Sequence, residues 1–302
     1  MSVLPQPLRL GVIGLSPGNG HPYSWSAIFN GYEEDAMEGC GFPVIPRYLE
    51  QQSWPSARLT EALVTHVWTQ DPERSAHIAR TCHIGKVIAD PFDMIGEVDG
   101  VLLARDDAET HLHFARPFLE AGLPVYIDKP MALSVADAQT LLELGARPGQ
   151  LFSCSALRYA KELQLSEADR RHIGAIRRIE ATTPKYWDTY AVHIIEPVRM
   201  MLAMDDRIVD SLREQMGDVT RLSLRWASGI ETVLQVMGDA PVPISFHVNG
   251  DKAVRELRFS DTFPAFKQAL QQFVRGITDG CDKIERSSTL DVVRIIELGR
   301  KL

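Results

Sequence analysis

Short apolar runs alternate with helically spaced segments through the first 130 residues. The runs are Leu8–Gly14, Leu63–Trp68, Gly85–Asp90, Val98–Ala104 and Leu123–Ile127. Their length and aliphatic content predict strands buried on both faces. Between them lie helix signals at Ser24–Phe29, from Asp71-Pro72 onward, and at His111–Gly122. This alternation predicts a doubly wound parallel sheet. Glu33–Ala62 breaks it. Its glycines and prolines, around Gly39–Pro43 and Ser53–Pro55, predict an insertion of irregular structure with one short helix.

From about Leu151 the pattern turns to two-residue alternation. Leu151–Ser155, Arg177–Thr183, Val219–Trp226, Ile230–Val236 and Val242–Val248 predict an open, mostly antiparallel sheet. Ala227-Ser228-Gly229 is its hairpin signal. Phe263–Ile277 and Leu290–Leu298 predict closing helices. The expected organisation is a doubly wound α/β domain over 1–130, with an insertion near 33–62, followed by an α+β domain over 131–302.

Composition narrows the functional classes. A chain of 302 residues, 45% hydrophobic and 24% charged, is that of a globular protein with two domains. A formal charge of −8 argues against nucleic acid or an anionic membrane as partner. The 9 histidines show no metal-ligand spacing, so no metal is expected. Cys40, Cys82, Cys154 and Cys281 are scattered without a C-x-x-C, as suits reduced thiols in a cytoplasmic protein. No apolar run approaches a membrane span, and Met1–Arg9 carries no secretory core.

The strand Leu123-Pro124-Val125-Tyr126-Ile127 ends in Asp128-Lys129-Pro130-Met131, a lysine held between an acid and a proline. Pro130 removes a ladder donor and biases Lys129 toward extended backbone. Ser134 then offers an N-cap for a helix from Val135. Lys129 is therefore expected at the carboxyl end of a strand, where open α/β sheets bind ligands. The alternative is an ordinary solvated lysine.

This stretch resembles the Glu-Lys-Pro signature of the Gfo/Idh/MocA family of nicotinamide-dependent oxidoreductases, with Asp128 in place of glutamate. Val98–Ala104 resembles the family's strand before the signature, and His111–Gly122 its helix. The resemblance implies a Rossmann domain and an NAD or NADP cofactor. It implies hydride transfer to or from a sugar, sugar nucleotide or cyclitol. It also implies self-association through the open sheet, as a homodimer or homotetramer.

The loop after the first strand departs from G-x-G-x-x-G: Gly14 is followed by Ser16, with Gly18 and Gly20 later. These four are the expected diphosphate contacts. At the tip of the second strand Thr69 stands where an acid would select NAD, and Arg74 follows within a turn. Both are expected near the adenosine ribose, which favours tolerance of NADP; Asp71 is the alternative acid. Trp68 either flanks the adenine or packs in the core. Arg105-Asp106-Asp107 replaces the family's Thr-Pro-amide sequence and reads equally as a solvated loop or as a substrate contact.

In the second domain Lys185–Glu196 resembles the family's helix bearing Asp-x-x-x-His. His193 fits the histidine, and Thr189 occupies the aspartate position. Asp188 replaces that acid only if the helix begins after it, since one residue turns a helix by about 100°. Lys129 and His193 are thus the expected catalytic pair, the lysine holding an alkoxide and the histidine taking its proton. Arg158, Tyr159, Tyr186, Trp187, Thr189 and Tyr190 are expected to line the substrate, although the aromatics read equally as core. The altered glycine loop, Thr69, Arg105–Asp107 and Asp188 keep a non-catalytic cofactor- or sugar-sensing protein as the alternative.

Overall fold

The computed structural model describes residues 6–300. They form two compact units. The first takes the chain up to Met131, then Gln139–Ser153 and Phe266–Arg286; the second takes Ala132–Ala138, Cys154–Ala265 and the chain from Ser287. Where one boundary at 130/131 was expected, the chain leaves the first unit and returns to it twice.

The first unit holds a six-stranded, all-parallel sheet of order β3-β2-β1-β4-β5-β6. Its strands are β1 (Leu8–Ile13), β2 (Ala62–Trp68), β3 (Lys86–Val87), β4 (Gly100–Leu103), β5 (Val125–Ile127) and β6 (Leu151–Phe152). The helices between them are α1 (His21–Asn30), α2 (Glu34–Glu38), α3 (Val44–Leu49), α4 (Pro72–Thr81), α5 (His111–Glu120) and α6 (Val135–Leu144). The doubly wound expectation holds. The insertion is more ordered than its composition suggested, since α2 and α3 both lie within it.

Two strand assignments need correction. Leu151–Phe152 pairs in parallel with Val125–Tyr126, so β6 extends the first sheet rather than opening the second. A two-residue strand carries too few positions for its period to declare its sheet. The third strand keeps only Lys86–Val87 of Gly85–Asp90, both exposed at the sheet edge. The core of this unit is an aromatic ladder: Trp25 stacks on Tyr126 at 4.6 Å between centroids, and Tyr126 meets Phe152 at 4.8 Å and Phe273 at 5.6 Å.

The second unit holds a six-stranded mixed sheet of order β12-β11-β7-β10-β9-β8. Its strands are β7 (Ile176–Thr183), β8 (Ile208–Met216), β9 (Val219–Trp226), β10 (Glu231–Val236), β11 (Ser245–Gly250) and β12 (Val254–Arg258). Only β7 and β10 pair in parallel; the other neighbours are antiparallel. Sequence periodicity did not reveal β8 and β12. Both are edge strands with mostly exposed residues, so neither shows an alternating buried face. The remaining helices are α7 (Glu167–Ile173), α8 (Trp187–Tyr190), α9 (Val192–Met201), α10 (Thr262–Asp279) and α11 (Arg286–Gly299). One sheet face buries Ile179, Ala181, Leu222, Leu234 and Phe246, with α9 against β7 and β10. The other carries ion pairs, Arg225 to Asp210 at 2.8 Å and Arg178 to Glu231 at 3.5 Å.

Candidate active site

Parallel register sets the first cluster. Ile13 pairs with Trp68 and with Leu103, and Leu103 with Ile127, so β1, β2, β4 and β5 end level at their carboxyl tips. The loops that follow converge there. Lys129 leaves β5 through a cis peptide to Pro130, and its side chain is almost fully buried. Its ammonium lies 3.1 Å from Asp106 Oδ2 in the loop after β4. Ser16, in the loop after β1, donates to Asp106 Oδ1 at 2.5 Å and accepts Asp106 N–H at 3.0 Å. Burial pushes the Asp106 carboxyl up, but Lys129 and Ser16 outweigh it and hold the group at about 2.

A second knot lies beside the first. Asp128 is buried and accepts from Asn19 Nδ2 at 2.7 Å and from its neighbour's Lys129 N–H at 2.7 Å. His21 Nδ1 approaches the same carboxylate at 2.6 Å. These bonds fasten the loop before α1 to the tip of β5. The buried His111 ring spans the carbonyls of Arg105, at 2.8 Å, and Met131, at 3.0 Å, and so ties the tips of β4 and β5 together.

The glycine loop fits a diphosphate, although not through Ser16, whose hydroxyl is turned to Asp106. Gly18 has φ +80°, and no heavy atom lies within 4 Å of where a Cβ would stand, so its backbone is open to a ligand. The first turn of α1 carries no acid that would repel an anion. Gly14 and Gly20 serve packing: a Cβ would fall 2.3 Å from the Pro22 ring at the first and 2.5 Å from Ile45 at the second.

The two residues expected at the adenosine ribose are occupied elsewhere. Thr69 is buried, its hydroxyl bonded to Asp71 O at 2.7 Å and to Ser75 Oγ at 2.9 Å. Arg74 reaches Cys40 O at 3.1 Å and Tyr23 at 3.4 Å. Asp71 caps α4, accepting from the N–H groups of Glu73 and Arg74. Gln70, which sequence reasoning gave no role, brackets the Leu15 backbone, accepting its N–H at 3.0 Å and donating to its O at 2.6 Å. The Arg105 guanidinium joins it at 3.1 Å, pairs with Asp107 at 2.5 Å and lies over Phe114. The charged triplet after β4 is therefore a folded ion-pair network, not a solvated loop. Trp68 donates its indole N–H to Ala89 O at 3.1 Å.

In the second unit α9 places His193 and Glu196 one turn apart, both on the Ser155 turn. His193 Nδ1 is 2.7 Å from Ser155 Oγ, and Glu196 accepts Ser155 N–H at 2.8 Å. Glu196 also pairs with Arg158 at 3.2 Å. Burial pushes the Glu196 carboxyl up, with Arg158 opposing it. Burial likewise raises the neighbouring Tyr159 phenol. Tyr190 sets its ring edge-on to His193 at 4.9 Å and takes Lys185 Nζ at 2.5 Å on its hydroxyl. Thr189 hydrogen-bonds back to Tyr186 O at 3.5 Å. Tyr186 is half exposed, and its hydrogen bond to Asp239 pushes its phenol up.

Two alternatives left open by the sequence are decided here. Trp187 is core: its indole donates to Ile296 O at 2.8 Å and lies against Gly299. Asp188 does not replace the acid missing at 189, because α8 begins at Trp187, ahead of it, and its carboxylate pairs with Arg300 at 3.1 Å. Among the described residues no metal-binding cluster occurs and no helix is long and apolar enough to cross a membrane.

Comparison with known proteins gives this geometry a context. Residues 39–155 match the family model GFO_IDH_MocA, described as an oxidoreductase family with an NAD-binding Rossmann fold. Inositol 2-dehydrogenase 2 of Saccharopolyspora erythraea is 36% identical over 91 residues, which are 30% of this chain and 26% of that protein. The match thus spans about a quarter of the relative's length. The crystal structure of myo-inositol 2-dehydrogenase from Lactobacillus plantarum superposes with a TM-score of 0.74 at 14% identity, covering 97% of this chain and 96% of that one. GenD2 from gentamicin A biosynthesis, solved with NAD, gives 0.73 at 16% identity, covering 99% and 94%. At such identities the two structures establish the shared fold.

Proposed function

We propose that the chain, whose residues 39–155 match the Gfo/Idh/MocA oxidoreductase model, is a member of that family and an NAD(P)-dependent dehydrogenase acting on a secondary hydroxyl of a cyclitol or related sugar. The observation that carries this reading is Lys129, a buried ammonium with a fixed counter-charge at the carboxyl tip of β5. The relatives named as inositol dehydrogenases support the cyclitol class.

A bound nicotinamide supplies the hydride acceptor or donor. The chain's own residues do the rest. The loop around Gly18 binds the diphosphate. Thr69 and Gln70 at the tip of β2 bear no charge and Asp71 is engaged as a cap, so NADP would be tolerated beside NAD. The Lys129 ammonium holds the substrate oxygen as charge develops on it. In the tautomer that donates Nδ1–H to Ser155, the His193 Nε2 lone pair would take the hydroxyl proton. Arg158, oriented by Glu196, and Tyr190 supply polar groups for the remaining hydroxyls. The four free thiols support a cytoplasmic location, and the open sheet face supports a homodimer or homotetramer.

Calorimetry with NAD, NADH, NADP and NADPH should detect binding of at least one dinucleotide; no heat with any would sink the cofactor claim. Lys129→Met and His193→Asn should each lower turnover of inositols on the order of 10²–10⁴-fold with dinucleotide affinity nearly unchanged. Because residues acting as a unit are not additive, the double variant should lose little more than the worse single one. Wild-type turnover in either single variant would remove that residue from the mechanism.

A further inference from the structure

The first unit contains a buried carboxylate that meets the catalytic lysine directly. Asp106 and Lys129 keep only 15% and 6% of their side-chain exposure, so their 3.1 Å pair is largely withdrawn from water. A charge pair in that setting governs protonation far more strongly than one at the surface. Ser16 fixes the carboxylate through two hydrogen bonds, of 2.5 and 3.0 Å. The serine in place of the second glycine and the aspartate after β4 are therefore two halves of one arrangement.

We propose that Asp106, held by Ser16, is the positioning carboxylate of Lys129: it keeps that side chain an ammonium aimed at the substrate oxygen. The proposal rests on the dehydrogenase reading. Asp106 stays ionised throughout and exchanges no proton with substrate. The groups that face it are Lys129 from the tip of β5, Ser16 from the loop after β1 and His21 from α1. Arg105 and Asp107 in its own loop neutralise one another.

The test uses the full chain carrying Asp106→Asn or Asp106→Glu. Carbon-13 NMR of ε-labelled lysine follows the titration of Lys129, with Lys129→Met assigning the signal. Asp106→Asn should lower the midpoint by about one pH unit or more, and Asp106→Glu, which keeps the charge, should restore most of it. With myo-inositol and NAD, Asp106→Asn should lower kcat on the order of 10²-fold, leave the KM for NAD within about twofold, and move the alkaline limb of the pH–rate profile down with the NMR midpoint. If Asp106→Asn does not fold, Ser16→Ala should move the midpoint in the same direction by less. An unmoved midpoint, or wild-type turnover in Asp106→Asn, overturns the proposal. If the wild-type protein oxidises no polyol, the dehydrogenase reading fails, and the titration still decides whether Asp106 sets the charge on Lys129.

Discussion

A carboxylate in a water-poor crevice loses hydration, and Asp106 keeps its charge because Lys129 and Ser16 replace what water supplied. Its pKa of about 2 lies below the ordinary 3.8, so the native state binds this proton less readily than the unfolded chain. The resulting stabilisation is present above about pH 4 and is lost as pH falls toward 2. At 1.36 kcal/mol per pH unit it is worth about 2 kcal/mol. Urea unfolding at pH 7 should therefore find Asp106→Asn less stable by that order, with the gap narrowing below pH ~4. A gap that does not change with pH would assign the loss to packing. Lys129 and His193 could be proposed from the sequence because each sits in a short local motif. Asp106 and Gln70 were not legible there, because their meaning comes from partners 90 and 55 residues away, brought alongside by parallel register. Thr69 misled for a related reason: a hydroxyl at a strand tip looks the same in sequence whether it meets a ribose or closes the first turn of the next helix.

Among the elements, α11 shows how tightly helix and side chain can be matched. Trp187 lies so close to Gly299 that a Cβ there would stand 1.9 Å from its ring. A glycine near a helix end usually signals a stop; here it also makes room for an indole. Gly299→Ala should overpack this contact and cost about 1–3 kcal/mol, read as a lower Tm, with Lys129 chemistry untouched. An unchanged Tm would mean that the indole moves aside freely. The same contact explains why Trp187 could not be told from a sugar-stacking aromatic in sequence: its partner lies in the last helix. Elements with a full buried face were read correctly, as β2, β9 and β10 show. The edge strands β8 and β12, lacking such a face, left no periodic trace.

For the whole molecule, the open face of the second sheet leaves Leu212 59% exposed, beside Arg178 and Arg221, whose buried Nε atoms lack hydrogen-bond partners. A second copy laid on this face would cover the leucine. Sedimentation should give the mass of a dimer or tetramer, and Leu212→Asp should shift it toward the monomer without altering dinucleotide affinity. A strictly monomeric wild-type protein at high concentration would refute this assembly. The path of the chain bears on its synthesis. When Met131 leaves the ribosome, β5 is an uncapped sheet edge, because β6 has yet to emerge. Phe273, which packs on Tyr126 and Phe152, emerges later still, after most of the second unit. At ordinary translation rates the stretch from Met131 to Arg286 takes roughly 8–30 s to make. For that interval the nascent first unit is an unfinished sheet with its aromatic ladder incomplete, so its completion waits on the synthesis of most of the second.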